Sequence, residues 1–169
     1  MDTYLAVASK RDWRSYAERA VPDEVVTRIL DAGRLAGSAR NMQPWTFVVV
    51  EDPERRRRLA DAVYYGPNVE SAALVVAIVT AGGQYALDVG RAMQNMFLTA
   101  WNDGVASCPN GMPDAGRAAE ALGLERDQRP VIVLSFGYPA RPQNPEDRGA
   151  DEWSRDANRM PLEEVVRRL

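Results

Sequence analysis

Four stretches of this 169-residue chain carry side chains able to hold or transform a ligand. The first is Lys10-Arg11-Asp12-Trp13-Arg14, with three cations in five residues. A planar guanidinium forks onto two phosphate oxygens at once, so the cluster suits a dianionic phosphate. A solvated charge cluster near the N-terminus would have the same composition. The second is Ser38-Ala39-Arg40-Asn41-Met42-Gln43-Pro44-Trp45. Its side-chain amides offer donors and acceptors in one plane, as the edge of a heteroaromatic ring requires. The plainer reading is a connection with Trp45 packed in the core, but the stretch is long for one. The third, Cys108-Pro109-Asn110-Gly111, reads as a strand end running into a glycine turn, which can aim backbone N–H groups at a ligand. The fourth is Arg159 before Met160 and Pro161, on its own a surface arginine.

The chain has no histidine and one cysteine. A histidine-based triad, an imidazole zinc site and an internal disulfide are all excluded, and no metal site is expected. Cys108 has no histidine to activate it and reads as a small buried apolar group. Chemistry must therefore run on carboxylates, hydroxyls, arginines, the one lysine, or a borrowed group. A net charge of −3 gives no basic face for nucleic acid. No apolar run is long enough to span a bilayer. The opening MDTYLAVASK lacks the apolar core of a signal peptide, so a cytoplasmic protein is expected. The GxGxxG and P-loop fingerprints are absent.

The elements that must position these residues follow from periodicity. A short helix is expected over 2–9. Pro22-Asp23-Glu24 starts a helix over 23–36, with Val25, Val26, Ile29, Leu30, Gly33 and Ala36 on its buried face. Apolar, β-branched runs predict strands over 46–51, 73–80 and 130–137, and 105–108 reads as a short strand leading into the glycine turn. Residues 53–64 read as an exposed helix whose four arginines, 55–58, form a solvated face. The longest helix is expected over 84–103, with Ala86, Leu87, Gly90, Met93, Gln94, Phe97, Leu98 and Trp101 on one face. Further helices are expected over 114–122 and 161–168. Residues 138–160, rich in proline and charge, read as a surface tail in which Trp153 must dock on something. The pattern is α+β, with helices on both faces of a small sheet.

Taken in order, the four segments resemble the nitroreductase family of FMN-dependent oxidoreductases. The family's basic opening, Arg-Arg-Ser-x-Arg, is met by Lys10 to Arg14, with Asp12 in place of serine. Its Ser-x-x-Asn-x-Gln-Pro-Trp stretch is met by Ser38 to Trp45, the most specific block. A helix containing Gln94-Asn95, the VASCPNG strand and turn, and Arg159 to Val166 complete the likeness.

The resemblance implies a three-layer α-β-α fold with a small mixed sheet. It implies one domain over 1–169 in an entwined homodimer, residues 138–169 being an extension that docks on the partner subunit. It implies FMN at the dimer interface, with NADH or NADPH as co-substrate and a nitroaromatic or quinone-like acceptor in a ping-pong reaction. Lys10, Arg11, Asp12 and Arg14 would lie along the FMN phosphate, ribityl chain and ring edge. Ser38, Asn41 and Gln43 would reach the flavin from the other subunit or nearby. Asn110 and Gly111 would offer backbone N–H groups to the ring, Arg159 would complete the phosphate site, and a weaker match places Asn68 at the pyrimidine edge. No side chain is expected to act as acid or base; Arg14 would stabilise the reduced ring electrostatically. Asp12 beside a phosphate dianion would be repulsive, so it is expected to turn towards Arg11 or Arg14. A flavin-dependent dehydrogenase of a specialised substrate, and a non-catalytic FMN store or sensor, fit the same motifs.

Overall fold

The computed structural model describes residues 1–83 and 85–169. In chain order the helices are α1 Thr3–Ser9, α2 Asp23–Arg34, α3 Pro53–Ala60, α4 Pro67–Glu70, α5 Ala86–Asn102, α6 Ala115–Leu122, α7 Ala150–Asp156 and α8 Leu162–Val165. The strands are β1 Thr46–Val49, β2 Leu74–Ala81, β3 Ala106–Asn110 and β4 Gln128–Gly137. Contacts cluster into two compact units, one of residues 11–143 and one of residues 1–10 with 144–169.

The larger unit is built on a sheet of order β1-β2-β4-β3. Every strand pair in it is antiparallel, which corrects the expected mixed sheet. Strand β2 is buried from Leu74 to Thr80, because helices cover both faces. Such an unbroken apolar run more often belongs to a parallel strand, so its residues do not encode its direction. Among the described residues, the one parallel pairing is an isolated bridge, Asp12 to Ser107 on β3. Opposite Ile78 and Val79, β4 slips by one residue between Ile132 and Pro130. Pro130 has no N–H to give the ladder, and a bulge accommodates it.

One face of the sheet, with Leu74, Val76, Ile78, Leu134 and Phe136, packs on Val25 and Ile29 of α2 and Val89, Met96, Phe97 and Ala100 of α5. Gly33 lets these helices meet: a Cβ there would lie 2.8 Å from Phe47 and 2.9 Å from Met96. Helices α4 and α6 contact the sheet, and α3 packs on both of them.

The buried face of α5 is Asp88, Val89, Ala92, Met96, Phe97, Ala100 and Trp101. The expected face was rotated from this: Phe97 and Trp101 are buried, but Leu87 is 78% exposed and Gln94 is exposed. The start of that expected helix at 84 lies outside the described residues. Among the described residues, no helix is long and apolar enough to cross a membrane.

The smaller unit pairs α1 with α7. The expected tail is ordered here. Asn144 caps a short turn at Pro145–Asp147, and Glu152 accepts from Gly149 N at 3.1 Å. Trp153 is buried, donating Nε1 to Pro145 O at 2.9 Å. Arg148 stacks 3.9 Å over its ring. Residues 158–169 are exposed throughout, and α8 is shorter than the expected 161–168 helix.

Candidate functional site

The charged opening segment has no helical period because it runs extended beside the sheet. Trp13 N donates to Ser107 O on β3 at 3.1 Å, and Ala17 N to Tyr138 O at 2.8 Å. Ala140 N returns to Ser15 O at 3.1 Å. This pairing brings Arg14 to the wall of a cavity of about 510 Å³. The other walls are Tyr64 and Tyr65 after α3, Asn68 of α4, and Pro109, Asn110 and Gly111 at the end of β3. Gly111 keeps one wall open. Its carbonyl accepts from Tyr64 N at 3.0 Å, and a Cβ there would press on the Tyr64 ring at 3.2 Å.

Behind this cavity lies a chain of buried polar groups. Asn110 is 4% exposed, and the two protons of its Nδ2 are shared among Cys108 O at 3.1 Å, Val133 O at 3.2 Å and Ser135 Oγ at 3.0 Å. Its Oδ1 accepts from Asn68 Nδ2 at 2.9 Å. Asn68 is 2% exposed, and its Oδ1 has no hydrogen-bond partner. Further back, the Tyr16 hydroxyl lies 2.9 Å from Ser135 Oγ, 2.9 Å from Trp13 O and 3.2 Å from Ser135 O. Burial pushes the Tyr16 phenol well above its usual range, against the Ser135 hydrogen bond, with smaller upward pushes from the charges of Cys108 and Asp12. It is a neutral donor at any physiological pH. A buried acceptor left unpaired is costly.

The Ser38–Pro44 loop forms a second locus. Arg40, Asn41 and Gln43 have φ of 52°, 56° and 48°, the left-handed region that non-glycine residues rarely occupy. Ser38 Oγ holds the bend by accepting from Gln43 N at 2.9 Å, and Gln43 Nε2 donates to Asn41 O at 3.3 Å. Buried Asp88 accepts from Ala39 N at 3.4 Å. Strain of this kind persists where surrounding structure enforces it, and it concentrates at functional loops. Gln43 lines a separate cavity of about 520 Å³ with Leu30, Trp45 and Phe47. Trp45 and Phe47 stack at 6.3 Å.

The structure thus gathers Arg14, Asn110 and Gly111 in one cavity, and Ser38, Asn41 and Gln43 on one loop beside another. Arg11 and Asp12 lie on the extended segment, Asp12 bridging Ser107. Lys10 and Arg159 belong to the smaller unit. Lys10 N caps α1 by donating to Ala6 O at 3.1 Å, and exposed Arg159 donates to Ala157 O at 3.1 Å. Sequence reasoning missed Tyr16, Tyr64, Tyr65 and Ser135 and gave Asn68 little weight. A polar Ser135 in the apolar run PVIVLSFG was a usable signal.

The model of the nitroreductase family matches residues 7–87 and 84–138. An NADH dehydrogenase of Thermus thermophilus is 37% identical, covering 98% of this chain and 95% of that protein. A provisionally named NADH dehydrogenase/NAD(P)H nitroreductase of Archaeoglobus fulgidus is 34% identical, covering 79% of this chain and 83% of its own length. The fold is shared with a Streptococcus pneumoniae nitroreductase family protein at a TM-score of 0.82 and 20% identity. That alignment covers 99% of this chain and all of the other.

Proposed function

The chain belongs to the nitroreductase family, and on that footing we propose that it is an FMN-dependent oxidoreductase using NADH or NADPH. The observation that carries this reading is the cavity that brings together Arg14, Asn68, Asn110 and Gly111. A cavity of about 510 Å³ is within the range of small-molecule sites. Asn68 lines its wall, and a side-chain amide suits the edge of a heteroaromatic ring such as isoalloxazine. The donor set and the family therefore agree.

FMN, when bound, supplies hydride chemistry in two halves, from NAD(P)H and then to an electron-poor nitroaromatic or quinone. The chain's part is position and charge. Arg14 offers a cation to the negative charge that gathers on the reduced ring. Asn68 and the Gly111 turn orient the ring, while Tyr64 and Tyr65 wall the space beside it. Lys10, Arg11 and Arg159 are assigned to the phosphate, and Asp12 to restraining its neighbouring cations. Ser38, Asn41 and Gln43 are assigned to the flavin of a partner subunit. Two facts support a homodimer: that loop borders a different cavity from Arg14, and residues 158–169 expose Leu162, Val165, Val166 and Leu169.

The test is a spectrum followed by a titration. The purified protein is expected to show the flavin absorption bands and to release FMN on denaturation. Anaerobic NADH or NADPH should bleach the bands, and a quinone or nitroarene should restore them. Bands that no nicotinamide bleaches would favour an FMN store, and a chain that takes up no FMN would refute the proposal.

A further inference from the structure

We infer that Asp88 is a positioning residue: from the first turn of α5 it anchors the Ser38–Pro44 loop, so that Ser38, Asn41 and Gln43 stand ready for the flavin. This rests on the flavin reading above. Most of the loop's hydrogen bonds are internal. Asn41 N donates to Ser38 O and Met42 N to Ala39 O, both at 3.0 Å, and Gln43 N closes the bend onto Ser38 Oγ. These bonds give the loop a shape but not a place. Among the described residues, the bond from Ala39 N to Asp88 Oδ2, at 3.4 Å, is the one hydrogen bond that ties it to another element. Asp88 is 6% exposed, and a buried carboxylate is costly unless it is paired or hydrogen-bonded. Among the described residues it forms no ion pair, and it accepts nothing from the free N–H groups in the first turn of its own helix. The buried carboxylate thus serves the loop and not α5. One turn further along, the Arg91 guanidinium lies over Gly37 at the loop's entry, its Cζ 3.0 Å from where a Cβ would stand. Left-handed backbone at Arg40, Asn41 and Gln43 is unfavourable for the loop on its own. Released from α5, it would relax and present those side chains elsewhere.

The experiment compares the flavin-free native protein with Asp88→Ala, which removes the acceptor, and Asp88→Asn, which keeps a side-chain oxygen in its place. One readout is trypsin cleavage after Arg40, followed by mass spectrometry, with cleavage after exposed Arg159 as the internal reference. The other is FMN affinity, from quenching of flavin fluorescence. Asp88→Ala should speed cleavage after Arg40 about tenfold, leave cleavage after Arg159 unchanged, and weaken FMN binding about tenfold. Asp88→Asn should restore both to native values. Native cleavage after Arg40 in Asp88→Ala overturns the inference. So does native FMN affinity in that variant, and so does an Asp88→Asn as impaired as Asp88→Ala. If the native chain binds no FMN at all, the flavin reading fails instead, and the cleavage rates still decide whether Asp88 holds the loop. Should Asp88→Ala not fold, Ala39→Pro puts the same question from the loop's side. It deletes the donor N–H at an exposed position. Ser38 before it is already extended, at φ −135° and ψ 158°, as a following proline requires. Ala39→Pro is expected to weaken FMN binding about tenfold, and native affinity in it overturns the inference.

Discussion

Tyr16 carries its phenol into the interior beside β3 and β4, and its chemistry there is that of a permanent donor. Unfolded, the phenol loses its proton near pH 10, as tyrosine ordinarily does. Folded, burial holds the proton to higher pH. Between those two values the native state binds a proton that the unfolded state has lost. The contribution is therefore complete below about pH 10 and declines above it, by about 1.4 kcal/mol per pH unit. Tyr16→Phe should remove that alkaline slope and cost about 1–2 kcal/mol at neutral pH, both read from urea melts. In the cavity lining, Arg14→Ala is expected to slow flavin reduction about tenfold or more while changing FMN affinity little. A fall in affinity alone would remove its electrostatic role. Asp12→Ser should leave FMN binding nearly unchanged; a large gain would mean that Asp12 opposes the phosphate.

Helices α2 and α5 approach as closely as they do because position 33 has no side chain. Gly33→Ala should gain helix propensity and still lose about 1–2 kcal/mol net, since Phe47 and buried Met96 must move. Equal or greater stability in a urea melt would show that the contact is soft. The same elements show what the sequence could and could not reveal. Strands β1, β2 and β4 were legible as apolar, β-branched runs, β3 as a short run ahead of a glycine turn, and α2 from its proline start and its spacing. The face of α5 was not, because apolar residues occur around so much of that helix that several faces fit the period. Helix α4 has too few turns to show any period, yet it carries Asn68. Helix α7 was hidden by the prolines and charges around it, though Trp153 betrayed a docking point. Among the site residues, Arg14, Asn110 and Gly111 came from motif order. Ser135 and Tyr16 act through hydrogen bonds across 25 and 119 positions of sequence, which no local pattern encodes.

For the whole molecule, the proposal is a dimer that completes its sites with the exposed C-terminal residues. Trp153 is already buried within its own chain, so those residues are separable from the packing of α7 on α1. Truncation after Ala157 is expected to yield a folded monomer by size-exclusion chromatography, with native Trp153 fluorescence and weakened FMN binding. A truncated chain that stays dimeric would place the interface elsewhere. The central claim is that this chain is a flavin protein, and titration of the flavin-free protein with FMN tests it most directly. One FMN should bind per chain, and the melting temperature should rise with FMN concentration, since a ligand bound only by the native state stabilises it. A melting temperature that FMN does not change, with flavin fluorescence unquenched at every concentration, would contradict the account.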